Sequence, residues 1–249
     1  MNQTDAFPVS RLISSFIYLA LFSLLLLFLA GDWRWFEGWF FSGIFVGGSF
    51  ATLLYLYFND PALLNERYAS PVQKEQKPWD KVLLALFFVE FLAWIAIMPL
   101  DAKRFGWTQP YPASVRAAGT VLLIAGMYGL FIALRENSFA APVVKMQKER
   151  GQHVISTGPY AIVRHPMYAG ALLLFIGGPM MLSSNYGLLL GIVLTLTIAI
   201  RSLLAKKRCS KRNCRAIAST CSRSGGGWYR LSFDPYLTQT TELRMQPKG

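Results

Sequence analysis

Residues 12–30 run for 19 positions without a charge. An apolar stretch of that length is long enough to cross the hydrocarbon core of a bilayer as a helix. The pattern repeats at 40–58, at 82–100 with Glu90 as its one interruption, and at 118–134. A fifth run, 169–200, is 32 residues long and exceeds one span. The Ser183-Ser184-Asn185 break divides it into two shorter arms, which predicts a tight helical hairpin. The sequence therefore predicts an all-α, polytopic membrane bundle of four spans plus a C-terminal hairpin. The first run is read as a retained helix rather than a leader peptide. It is long, only Arg11 precedes it, and no clean small-x-small cleavage site follows.

Composition agrees with that class. Hydrophobic residues make up 53% of the 249 and charged residues 15%, well under the quarter usual in soluble domains. The net charge of +12 does not argue for nucleic acid, because it is concentrated at one end. From Lys206 onward ten Lys/Arg face two Asp/Glu, and all three cysteines (Cys209, Cys214, Cys221) fall there. Two regions result: a membrane domain over 1–205 and a basic tail over 206–249, expected to be poorly ordered. Orientation follows from basic residues in the short loops. Arg11 and the loops 59–81 and 135–168 together carry ten Lys/Arg, against four at Arg34, Lys103, Arg104 and Arg116. Both termini and the 135–168 loop are accordingly assigned to the cytoplasmic side. Trp33, Trp35, Trp39 and Trp107 sit at predicted helix ends, where indole favours the headgroup region.

The loop 135–168 is the candidate site, and it holds both histidines of the chain. Gly158-Pro159 sets a turn. Pro166 suits the first position of the following helix and keeps His165 out of the α region. Arg164, His165 and open backbone N–H groups would then meet at a helix N-terminus, a place that favours an anionic group. Composition alone supports equally a basic loop that anchors to lipid headgroups. Glu90 in mid-span is either a functional carboxylate or one bonded within the bundle. Met127, Met167, Met180 and Met181 read as packing on composition. No Cys/His cluster has metal-ligand spacing.

The string G-P-Y-A-I-V-R-H-P-M-Y-A-G at 158–170, preceded by K-M-Q-K-E-R-G-Q-H-V-I-S-T, resembles the isoprenylcysteine carboxyl methyltransferase and phospholipid methyltransferase superfamily, in its bacterial form. The similarity covers about residues 118–204. It implies an integral membrane enzyme, most simply of a bacterial inner membrane, that uses S-adenosylmethionine and a lipidic methyl acceptor. By that resemblance Gln147, Gln152, His153, Val154 and Ile155 line the cofactor site. Gly158, Tyr160 and the turn Arg164-His165-Pro166-Met167-Tyr168 close around the cofactor. Arg201 would face the acceptor, with His165 as its catalytic companion. Asn137-Ser138-Phe139 resembles the family weakly, as a helix-end element. Related membrane reductases that bind NADPH are the alternative, and a catalytically impaired membrane protein is a third reading.

The chain departs from the family after Arg201. The family continues R-x-x-x-E-E and ends P-G-Y…V-R-x-R-L-x-P, whereas here Arg201 is followed by Ala205-Lys206-Lys207 and neither glutamate is present. Reading each codon one nucleotide early restores the pattern. Arg212 to Ile217 then permits E-L-P-G-Y, with the leucine forced by Asn213-Cys214, and the stretch to Arg230 permits R-E-Y-L-Q-Q-V-R-W-R-L-V-P. A frame shift near codon 205 is thus the preferred origin of the tail. A genuine lipid-binding basic tail is the alternative.

Overall fold

The computed structural model describes residues 7–69, 76, 78–140, 142, 155–163 and 165–221, with side chains described through Leu204. The described residues are helical or irregular, with no strand among them. The helices are α1 (Val9–Ala30), α2 (Phe36–Asn59), α3 (Pro61–Arg67), α4 (Pro78–Pro99), α5 (Ala113–Glu136), α6 (Pro159–Ile162), α7 (Pro166–Leu182) and α8 (Asn185–Cys221). Five segments are long and apolar enough to cross a membrane: α1, α2, Pro78–Arg104, α5 and Asn185–Leu204. The protein is a multi-pass membrane protein. The apolar α7 is shorter and forms the first arm of the expected hairpin.

Local chemistry explains where the helices stop. α1 ends at Gly31, whose φ of 71° lets its N–H reach the Leu27 and Phe28 carbonyls. α3 begins at Pro61, and the Asp60 carboxylate caps it by accepting from the Leu63 N–H at 2.9 Å. α4 passes through Pro99 into a π-type turn, Leu100–Arg104. Short helix α3 has no counterpart in the sequence reading, because seven residues are too few to show an apolar period.

The chain divides into two compact units, Met1–Ile198 and Ala199–Gly249. In the first, α5 and α7 lie backbone to backbone. A Cβ on Gly126 would meet the Leu174 nitrogen at 2.7 Å, and one on Gly177 the Leu123 nitrogen at 2.4 Å. Small residues permit such close approach where lipid supplies no hydrophobic drive between helices. Around this seam pack Leu26, Leu27, Phe41, Trp94, Met98, Leu123 and Phe175. A second cluster, Phe7, Leu53, Leu56, Leu63, Leu64, Leu134 and Ala140, fills the end where α2 meets α3 and α5 finishes.

One tryptophan departs from its expected place. Trp33, Trp39 and Trp107 are exposed, but Trp35 is buried in the first cluster. It precedes α2, and Gly38 below it leaves the space its indole occupies; a Cβ there would lie 2.5 Å from the ring.

The second unit is helical over its described residues, from Ala199 to Cys221. The helix therefore runs on past residue 205, into the stretch expected to be poorly ordered. Side chains from residue 205 onward lie outside the described residues.

Candidate functional site

The end of α5, the short α6 and the start of α7 form the candidate site. Glu136 closes α5, and its carboxylate accepts a hydrogen bond from the Thr157 hydroxyl. Asn137 turns the chain: its side-chain oxygen accepts from the Phe139 N–H at 3.0 Å, and its amide donates to the Tyr160 hydroxyl at 3.1 Å. The Tyr160 hydroxyl in turn donates to the Ala133 carbonyl at 3.4 Å. Two residues at the end of α5, Ala133 and Asn137, thus hold one phenol. Burial raises the Tyr160 pKa above the ordinary tyrosine value, opposed by the Asn137 hydrogen bond and reinforced by the Glu136 charge.

Gly158 occupies φ 55°, ψ −134°, a conformation that L side chains rarely adopt. That geometry lets Pro159 open α6 directly behind the turn. His165, at φ −134° and ψ 67°, is extended as the following proline requires, and Pro166 begins α7. The exposed His165 ring stacks on Tyr168 with centroids 5.1 Å apart and planes 22° from parallel. Together they form an exposed aromatic surface at the helix start.

The expected set of open N–H groups is smaller than the sequence suggested. The His165 carbonyl accepts from both Tyr168 at 3.0 Å and Ala169 at 3.2 Å, so the first turn of α7 consumes two of those donors. The extended His165 points its carbonyl down the helix axis, which is why they are taken. Met167 is partly buried and packs against the second apolar cluster, in line with its compositional reading.

Of the other site residues, Ile155 is half-buried and Gly158 is exposed. Gln147, Gln152, His153, Val154 and Arg164 lie outside the described residues. Arg201 is half-buried on α8, within the second unit.

Three residues that the sequence reading did not single out shape the first unit. Arg67, at the end of α3, donates to the Ala140 carbonyl at 3.1 Å and so ties α3 to the start of the site loop. Burial lowers the pKa of its guanidinium. Glu136 was hidden at the edge of an apolar run. Asp101 lies at the other end of the bundle, fully buried. Its Oδ2 accepts from the Ser184 hydroxyl at 2.7 Å, the Thr108 hydroxyl at 2.9 Å and the Tyr186 N–H at 3.3 Å. This knot pins the α7–α8 hairpin to the turn after α4. At mid-span, Glu90 has a partner: Thr197 donates to its Oε1 at 3.0 Å. The structure thereby supports the intrabundle reading of Glu90.

Residues 115–208 match the family model described as phospholipid methyltransferase. That stretch takes in α6, α7, all but the first two residues of α5 and the described site residues, and over it the chain is similar to a phospholipid methyltransferase domain, part of the superfamily that includes the isoprenylcysteine carboxyl methyltransferases. No curated protein and no solved structure matches the chain.

Proposed function

We propose that this protein transfers a methyl group from S-adenosylmethionine to a nucleophile carried by a membrane lipid, at the cytoplasmic face. One observation carries the reading: within the methyltransferase-family stretch, the Gly158 turn, the held phenol of Tyr160 and the His165–Tyr168 ring pair all lie on the short stretch 158–168 that joins α6 to α7. The donor set fits an adenosyl group: stacked, exposed rings offer a face to a purine, and the Met167 N–H lies at the positive end of α7 for a carboxylate. His165, Tyr168, Met167 and Tyr160 would hold the cofactor together with Ile155 and the residues at 147, 152–154, 158 and 164. Bound there, it would supply a methyl group activated on a sulfonium, with the neutral thioether as the leaving group.

The chain's own part is orientation and exclusion of water. Asn137 and the Ala133 carbonyl fix the Tyr160 phenol, so that wall of the site is set before anything binds. Buried Pro166 seats the turn against the bundle and leaves His165 and Tyr168 facing outward. Arg201 we assign to the acceptor, by its place in the motif. A basic loop facing the cytoplasm, together with both termini on that side, completes the arrangement in a bacterial inner membrane.

The test is cofactor binding to the purified full chain in detergent micelles, by isothermal titration with S-adenosylmethionine and, separately, NADPH. Binding of S-adenosylmethionine, weakened about tenfold or more by His165→Ala and Tyr168→Ala and unchanged by Lys103→Ala, is expected. Lys103 is ion-paired to Asp32 at 3.0 Å at the opposite end of the bundle. Equal losses in all three variants would mean general destabilisation. Tight NADPH binding without S-adenosylmethionine binding would replace the proposal with a reductase. Failure to bind either cofactor in a folded preparation would leave a non-catalytic membrane protein.

A further inference from the structure

Arg67 closes the last turn of α3, well outside the stretch 115–208 that matches the family model. A basic residue in that position ordinarily serves the open carbonyls of its own helix. Here the carbonyls of Leu64 and Glu66 already accept from the Tyr68 and Ala69 N–H groups. Arg67 crosses instead to the loop after α5, where its Nη1 donates to the Ala140 carbonyl at 3.1 Å. Two features set this bond apart from packing. It is costly: burial lowers the pKa of the guanidinium, and Arg67 forms no ion pair among the described residues. Leu63 and Leu64, which share its helix face, are buried in the second apolar cluster, so an apolar side chain would suit the place better for stability alone. The bond also leads straight to the candidate site. The Ala140 N–H donates back to the Asn137 carbonyl at 3.2 Å, and the Phe139 N–H donates to the Asn137 side-chain oxygen at 3.0 Å. The Asn137 amide then donates to the Tyr160 hydroxyl at 3.1 Å. The turn 137–140 is one hydrogen-bonded unit, with Arg67 at one end and the Tyr160 phenol at the other.

We infer that Arg67 is a positioning residue, which fixes the 137–140 turn and, through Asn137, the Tyr160 wall of the site, at a cost in stability. That this wall belongs to a cofactor site rests on the proposed function; the hold on the turn does not. The strut from which Arg67 reaches has its own base. Tyr68, the next residue, is hydrogen-bonded to Ser15 on α1, and the Phe7 ring meets the Tyr68 ring edge-on with centroids 5.0 Å apart. α3 can therefore be loosened from α1 without touching the Arg67 bond, and the Arg67 bond can be cut without freeing α3.

The experiment compares the full chain in detergent micelles with three variants. Arg67→Met keeps an apolar stem and removes the donor, Arg67→Lys keeps a charged donor, and Tyr68→Phe cuts α3 from Ser15. Hydrogen–deuterium exchange of the cofactor-free chain is read by mass spectrometry. The peptide covering 137–140 should exchange about tenfold faster in Arg67→Met, the effect of losing one hydrogen bond from a charged donor. It should change far less in Arg67→Lys and not at all in Tyr68→Phe. In SDS unfolding followed by circular dichroism, Arg67→Met should be as stable as the parent or more so, and Tyr68→Phe less stable. S-adenosylmethionine affinity, by isothermal titration, should nonetheless fall about five- to tenfold in Arg67→Met, the cost of ordering one or two freed side chains on binding. It should recover in Arg67→Lys and hold in Tyr68→Phe. Lower stability of Arg67→Met, with faster exchange throughout α3 and the end of α2, would make Arg67 a general stabiliser and overturn the inference. An unchanged 137–140 peptide would overturn it too, as would a loosened turn with S-adenosylmethionine affinity intact. If the parent binds no S-adenosylmethionine while Arg67→Met still loosens the turn, the proposed function falls and the hold on the turn stands.

Discussion

Gly177→Ala tests the packing on which the site rests. The added methyl would lie 2.4 Å from the Leu123 nitrogen and 2.7 Å from the Gly119 carbonyl oxygen. Both neighbours are backbone atoms of α5, so no side chain can swing aside. Ordinary contact begins near 3.4 Å, and the two helices must part by about 1 Å. A gap of that size forfeits roughly a quarter to a half of each dispersion contact along the seam. Over-packing of this kind costs about 1–3 kcal/mol, and a backbone clash belongs at the upper end. Alanine returns about 1 kcal/mol in helix propensity over glycine. A net loss of about 2 kcal/mol remains. Gly47→Ala on α2 is the matched control, because nothing lies within 4 Å of its Cβ. It should gain up to about 1 kcal/mol from propensity alone. The two variants should therefore differ by about 3 kcal/mol in reversible SDS unfolding followed by circular dichroism. Equal stability of the two would show that α5 and α7 are not seated backbone to backbone.

Asp101→Ala should cost about 3 kcal/mol in the same assay, since it strands two buried hydroxyls and a partly buried N–H. Asp101→Asn should recover most of it, because only Oδ2 is used and Oδ1 has no hydrogen-bond partner; an asparagine as damaging as the alanine would show that the charge itself is needed. A double-mutant cycle of Glu90→Leu and Thr197→Val should give a coupling of about 0.5–1 kcal/mol, and zero coupling would deny the bond. Tyr160 has a folded-state pKa raised above the unfolded value. Its contribution to stability is therefore complete below about pH 10 and lost as pH rises through the folded pKa. Alkaline ultraviolet titration should show a late-ionising tyrosine that is missing in Tyr160→Phe; an unchanged titration would refute the assignment. Sequencing the coding DNA across codons 195–249 should reveal E-E and the P-G-Y ending in the shifted frame, and an incoherent shifted frame would make the tail genuine.

Apolar length is a one-dimensional property, which is why the spans and the Ser183-Ser184-Asn185 break were legible. Pairing is not one-dimensional. Gly119 and Gly126 are seven residues apart, as are Gly170 and Gly177, yet only the fold puts one pair against the other. Asp101 was invisible for a related reason. An acid at the edge of an apolar run reads as loop, and its three donors come from the loop before α5 and from the hairpin turn. Trp35 shows how a positional rule yields to packing: the rule placed it among headgroups, and Gly38 admitted it to the core. At the site, backbone-encoded features were readable. Gly158 and the His165-Pro166 step carry their geometry in their own residue types. The grip of Asn137 on Tyr160 joins positions 23 apart and needed the fold.

The distribution of constraint within the first unit follows from these contacts. Asp101, Thr108 and Ser184 fix one end of the hairpin, reinforced by the Ser183 hydroxyl accepting from the Tyr111 N–H at 3.0 Å. The glycine seam carries that rigidity along α7 to Gly170. One turn beyond, Pro166 is buried, and then the constraint ends: His165, Tyr168 and Ile162 are exposed. A helix locked at its far end and along its length presents its first turn as a fixed platform. Exposed rings on a rigid mount lose little motion on meeting a ligand, and that favours binding more than an equally exposed mobile loop would. It also predicts where damage spreads. Gly177→Ala should weaken cofactor binding along with stability, whereas Gly129→Ala should spare both, since its Cβ would meet only the Gly170 Cα, at 3.4 Å. Loss of cofactor binding in Gly129→Ala at full stability would show that the platform is not fixed by the seam in this way.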